Sequence, residues 1–86
     1  MGKYSKLMQK ILVGEADSNI DFVALCHLLS RLGFDQRVKG DHHIFTRGDV
    51  AEIINLQPKG SKAKPYQIKQ VRNLLVAYGL GNNDVD

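Results

Sequence analysis

QRVKGDHHIFTRGDVAEIINL, residues 36–56, carries the strongest fold signal in the chain. Gly40-Asp41 and Gly48-Asp49 are turn formers, and they cut the stretch into three runs: Gln36 to Lys39, His42 to Arg47 and Val50 to Leu56. Each run is short, and the third is rich in β-branched residues, so each reads as a strand. Three strands joined by tight turns make an antiparallel meander.

The flanks of this stretch show helical spacing. Upstream, Phe22, Leu25, Cys26, Leu29 and Leu32 share one helical face, behind Asn19 or Asp21 as the cap. Gly33-Phe34 reads as a Schellman stop, with glycine left-handed and the phenyl ring packed back. His27 falls off this stripe and is expected in solvent. Tyr4, Leu7, Met8, Ile11 and Leu12 predict a further amphipathic helix over residues 3–13, and residues 14–19 a polar loop. Downstream, QPKGSKAK (57–64) is polar, basic and turn-rich. Pro65 suits the first position of a last helix, whose apolar face is Ile68, Val71, Leu74, Leu75 and Tyr78. Gly79-Leu80 repeats the stop, and residues 81–86 read as a disordered tail.

The order helix, helix, meander, helix predicts a single α+β domain: a two-layer sandwich with the helices on one face of a three-stranded antiparallel sheet. Residues 1–18 form the extra N-terminal helix and loop, and residues 19–80 the core. A length of 86 residues suits one core, and 43% hydrophobic with 24% charged residues is a globular composition. No apolar run approaches the roughly 18 residues of a membrane span. The N-terminal MGKYSKLMQKIL lacks the apolar stretch and cleavage site of a signal peptide. Lys6 stands where myristoylation requires Ser or Thr. A cytoplasmic protein without a membrane partner is expected. Cys26 is the sole cysteine, and its place on an apolar stripe predicts a buried, inert thiol.

Charge is unevenly spread. Residues 36–72 hold eight basic side chains (Arg37, Lys39, Arg47, Lys59, Lys62, Lys64, Lys69 and Arg72) against Asp41, Asp49 and Glu52. The net charge of +3 therefore conceals a basic patch around the adjacent histidines, which points to a polyanionic partner.

Neighbouring strand residues face opposite ways, so His42 and His43 cannot share an environment. One side of the strand carries His42, Ile44 and Thr46, the other His43, Phe45 and Arg47. An unpaired buried guanidinium is costly, so Arg47 assigns its own set to the open face. On that expectation His43 is a free imidazole, Phe45 stacks a base and Arg47 holds a phosphate. Other chemistries fit less well. A metal site needs three or four convergent ligands, and adjacent strand histidines diverge. A buried Cys26 does not serve as nucleophile, and no GxxxxGK[ST] loop is present.

The run from Leu28 to Leu80 resembles the HicA family of bacterial toxins, small endoribonucleases (mRNA interferases) of type II toxin–antitoxin modules. The resembling elements are LLSRLGF, KGDHHIF, IINLQP…KPYQIKQVRNLL and AYGL, in the family's order and over about two-thirds of the chain. The most specific is the turn Gly40-Asp41-His42-His43 leading into a strand. The resemblance implies a double-stranded-RNA-binding-domain-like fold, metal-independent cleavage of mRNA without a cofactor, and inhibition by a HicB-type antitoxin. It places the catalytic histidine at the fourth turn position, His43. Asp41 stands where many members have serine, and Asn55-Leu56-Gln57-Pro58 replaces a Pro-x-His-Pro-like stretch. The expected chemistry is removal of a ribose 2′-OH proton by neutral His43, with Lys39, Phe45, Arg47, Lys59, Lys62 and Lys64 binding the RNA. The alternative is a double-stranded RNA-binding module that does not cut. A third reading makes the open sheet a protein interface.

Overall fold

The Gly40-Asp41 turn fixes the register of the sheet. In the computed structural model, which describes residues 2–82, 84 and 85, strand β1 (Asp35–Lys39) runs antiparallel to β2 (His42–Arg47), with Lys39 opposite His42. Gly40 takes φ +62°, a conformation open to glycine and strained for other residues. Strand β3 (Val50–Leu56) pairs antiparallel with the other edge of β2, giving the order β1-β2-β3. Phe45 faces Ile54, whereas Arg47 faces Val50, so the ladder shifts between them. Three residues of β3 oppose Thr46 alone, and all three (Ala51, Glu52 and Ile53) are exposed.

Two helices lie against one face of this sheet. Helix α1 (Lys3–Val13) precedes α2 (Phe22–Arg31), and α3 (Pro65–Ala77) follows the sheet. Asp21 caps α2 by accepting the Ala24 N–H at 2.9 Å. At its other end the Gly33 N–H donates to Ser30 O and the Phe34 N–H to Leu29 O, the two bonds of a Schellman motif, and Phe34 packs into the core. Pro65 opens α3 at its first turn, where its missing N–H costs nothing. Phe45, Ile54 and Leu56 from the sheet are fully buried against Leu25, Leu28, Leu29, Ile68, Val71 and Leu75 from α2 and α3. Met8 and Ile11 of α1 belong to the same cluster.

Three expectations need correction. The segment 57–64 is a small hairpin, β4 (Pro58–Lys59) with β5 (Lys62–Ala63), around a turn at Gly60 (φ +62°). It is tied to the start of α2: Phe22 N–H donates to Ser61 O, and Ala63 N–H to Ile20 O. The chain after Gly79 forms a 3-10 turn, Leu80–Asn82, with Leu80 and Val85 buried and Arg31 donating to Val85 O at 3.4 Å. Residues 83 and 86 of the expected disordered tail lie outside the described residues. Tyr78 is exposed, donating its hydroxyl proton to Glu52 and accepting the Ala51 N–H. Its pKa is raised, chiefly by that bond to Glu52.

The loop after α1 is clamped to α3. Arg72 gives two hydrogen bonds to the Asp17 carboxylate, at 2.8 and 3.1 Å, and a third to Ile11 O. The guanidinium holds the Asp17 carboxyl below its ordinary pKa. Cys26 is buried, and burial pushes its thiol up to about 11, which removes it as a nucleophile near neutral pH. No helix among the described residues is long and apolar enough to cross a membrane.

Candidate functional site

The sheet faces are the reverse of the expectation. His43, Phe45 and Arg47 point toward the helices, and His42, Ile44 and Thr46 toward the open side. Phe45 is fully buried in the core opposite Ile54, so it is not available to stack a base. Arg47 is three-quarters covered, with its guanidinium 6.0 Å from the Phe34 ring and Nε 2.9 Å from Asp49. Its Nη1 is buried without a hydrogen-bond partner among the described residues. Arg47 is thus engaged at the rim of the core and does not stand on an open face. His43 is half-buried: its ring meets Phe22 edge-on at 4.9 Å, and Nδ1 lies 2.8 Å from the Gln36 amide nitrogen. With an amide N–H donating to it, Nδ1 is the acceptor and the ring is oriented on both sides.

His42 is the imidazole on the open face, with half of its side chain exposed. Its Nδ1 lies 3.2 Å from Asn55 Oδ1, and its Nε2 is 3.9 Å from Asp41 Oδ1. In the tautomer in which the Asn55 oxygen accepts from Nδ1, Nε2 is the nitrogen left to take a proton, with the Asp41 carboxylate 3.9 Å away. Lys39 is the cross-strand partner of His42 and is exposed, so a cation flanks the imidazole. Asp41 accepts from Gln57 Nε2 at 2.7 Å, a bond that holds its carboxyl below the ordinary pKa.

The polar chain continues past Gln57. Lys64 Nζ donates to Gln57 Oε1 at 3.3 Å, which links the His42 end of the sheet to the start of α3. Lys59 and Lys62 stand opposite each other on the β4–β5 hairpin. Lys59 and Lys64 also line a cleft of about 540 Å³ with Pro58, Pro65 and Tyr66. The structure therefore pairs Lys39 with His42, links Lys64 through Gln57 to Asp41 beside it, and sets Lys59 and Lys64 along one cleft. His43 adjoins the same hairpin through Phe22, whose N–H donates to Ser61 O. Lys62 adds its charge through the hairpin pairing.

Sequence reasoning missed Asn55, Gln57 and Tyr66. For Asn55 the signal was present: Ile54 and Leu56 are the apolar pair of β3, which turns Asn55 outward beside whichever β2 residues face solvent. Gln57 and Tyr66 belong to a segment without periodicity, and nothing local marks them. Among the described residues no group of three or more His, Cys, Asp or Glu side chains converges as a metal-ligand set. Neither family models, nor curated proteins, nor solved structures give a match to the chain.

Proposed function

We propose that the protein is an endoribonuclease of the HicA type, with its catalytic imidazole at His42 rather than His43. The observation that carries this reading is the open-face imidazole of His42, with Nδ1 engaged by Asn55, Nε2 near the Asp41 carboxylate and exposed Lys39 opposite across the strand pair. The α+β arrangement, with two helices on one face of a three-stranded meander, fits the double-stranded-RNA-binding-domain-like fold that the resemblance implies. A HicB-type antitoxin is the corresponding protein partner.

In the proposed reaction Nε2 of His42 takes the proton of a ribose 2′-OH as that oxygen attacks the adjacent phosphorus. The 5′-oxygen leaves and is protonated by water or by the imidazolium, giving a 2′,3′-cyclic phosphate and a free 5′-OH. Imidazole suits this work because its unperturbed pKa of about 6.5 lies near working pH. The Asp41 carboxylate, 3.9 Å from Nε2, offsets the imidazolium charge once Nε2 has taken the 2′-OH proton. In this reading Lys39 and Lys64 neutralise the extra negative charge of the phosphorane.

Single-stranded RNA incubated with the purified protein in EDTA tests the reading. Cleavage with cyclic-phosphate ends is expected, and His42→Ala should slow it by about 10²- to 10⁴-fold. A wild-type rate in His42→Ala, or activity lost in EDTA and restored by magnesium, overturns it. Binding without any cleavage returns the protein to the non-catalytic RNA-binding reading.

A further inference from the structure

The cleft beside the lysines has an aromatic wall. Tyr66 is 65% exposed, at the second position of α3, and lines the 540 Å³ cleft together with Pro58, Pro65, Lys59 and Lys64. A lone exposed tyrosine is ordinary on a protein surface. This one stands among two rigid proline rings and two ammonium groups, and helix α3 begins there with no side-chain cap and no acidic residue in its first turn. All the fixed charge at the cleft is therefore positive. Lys64 is also hydrogen-bonded through Gln57 to Asp41, whose carboxylate lies 3.9 Å from His42 Nε2. The cleft and the imidazole are thus two ends of one connected surface.

We infer that Tyr66 is a base-stacking platform: the cleft takes one unpaired nucleobase of a single-stranded RNA, with Lys59 and Lys64 on the phosphates beside it. Every base presents a π-face, so a tyrosine ring binds it without demanding a sequence, and stacking requires a base free of its duplex partner. The proline rings make the walls rigid, which limits the entropy lost on binding. This inference rests on the RNA reading of the site and adds to it a second anchor point, one that requires an unpaired base. A strand held at Tyr66 and at Lys39 passes His42, so the platform sets which phosphate meets the imidazole. Tyr66 is accordingly a positioning residue and takes no part in proton transfer.

A short single-stranded 2′-O-methyl oligonucleotide carrying 2-aminopurine tests this without turnover, because it has no 2′-OH to attack. Fluorescence of the aminopurine should quench on binding to the wild-type protein. Tyr66→Ala should abolish the quench and weaken binding about 5- to 100-fold, the range for loss of one stacked base. Tyr66→Phe should keep both. On an oligonucleotide with an abasic residue at the probe position, Tyr66→Ala should bind as wild type does. Wild-type affinity in Tyr66→Ala, an equal loss on the abasic probe, or no binding of the oligonucleotide at all overturns the inference. Cleavage of unmodified RNA by wild type and His42→Ala, run in parallel, separates the two proposals. Tyr66-dependent quenching without cleavage leaves the platform and removes the nuclease. His42-dependent cleavage with no Tyr66 effect does the reverse.

Discussion

The His43 ring lies edge-on to Phe22 and its Nδ1 meets the Gln36 amide, so the ring and one of its two nitrogens have structural partners. An aromatic edge contact contributes about 0.5–1.5 kcal/mol and a hydrogen bond roughly 1 kcal/mol. His43→Ala is therefore expected to lower the melting temperature by several degrees while leaving RNA cleavage within a few-fold of wild type. A variant that melts normally but does not cut RNA would return the catalytic role to His43. The sequence left this choice open because Ile44 and Phe45 are both large and apolar. Arg47 tipped the reading the wrong way. The cost of an unpaired buried guanidinium is real, but Arg47 ends its strand, where Nε pairs with Asp49 at the rim and Nη1 alone is left buried without a partner among the described residues. The β3 pattern was the better guide. Ile54 and Leu56 alternate with Asn55, and antiparallel pairing then places Phe45 and His43 on their side.

At the scale of elements, the three long helices and three long strands were readable because each has a periodic apolar face and a chemical boundary. Asp21, Gly33 and Pro65 act at the ends that their chemistry predicts. The β4–β5 hairpin was not readable, since two residues per strand are too few to show alternation. Its register sets Lys59 directly opposite Lys62, and like charges in that relation destabilise a hairpin. A surface that tolerates this repulsion is suited to a polyanion. Lys59→Glu should therefore stabilise the free protein by about 0.2–1 kcal/mol and raise its melting temperature, because Lys62 already faces Asp21 on its other side. The same change should weaken RNA binding and flatten its dependence on salt. Lower stability with unchanged RNA affinity would show that the pair has no such role.

For the whole molecule, the Asp17–Arg72 clamp joins the loop after α1 to the last helix, and so binds the two ends of the chain into one core. The residues of α1 in that core, Met8 and Ile11, followed the helical spacing; the clamp did not, because 55 residues separate its partners. The Asp17 carboxyl titrates lower in the folded protein than its ordinary value of about 3.9, because the guanidinium favours its charged form. Its stabilisation is thus fully present above that ordinary value and is lost as pH falls through the depressed folded one. Asp17→Asn should cost about 1 kcal/mol at neutral pH, and the difference from wild type should vanish in acid. Melting curves of both proteins from pH 7 to about pH 2 check this, and a gap that stays constant throughout removes the clamp as its cause.

All five residues of β1 are exposed on both faces, and the strand is held by β2 alone, at the sheet's edge. Its amides are consequently the ones that open by fraying, at a free energy well below that of global unfolding, and they exchange with solvent long before those of α2 or β2. Lys39 belongs to this loosely held strand, and its cross-strand neighbour His42, the first residue of β2, pairs with Lys39 and not with β3. The site therefore sits at the end of the sheet that opens first. A polyanion that grips Lys39 closes the strand as it binds, so occupancy is written into the exchange rates of β1 even where no chemistry follows.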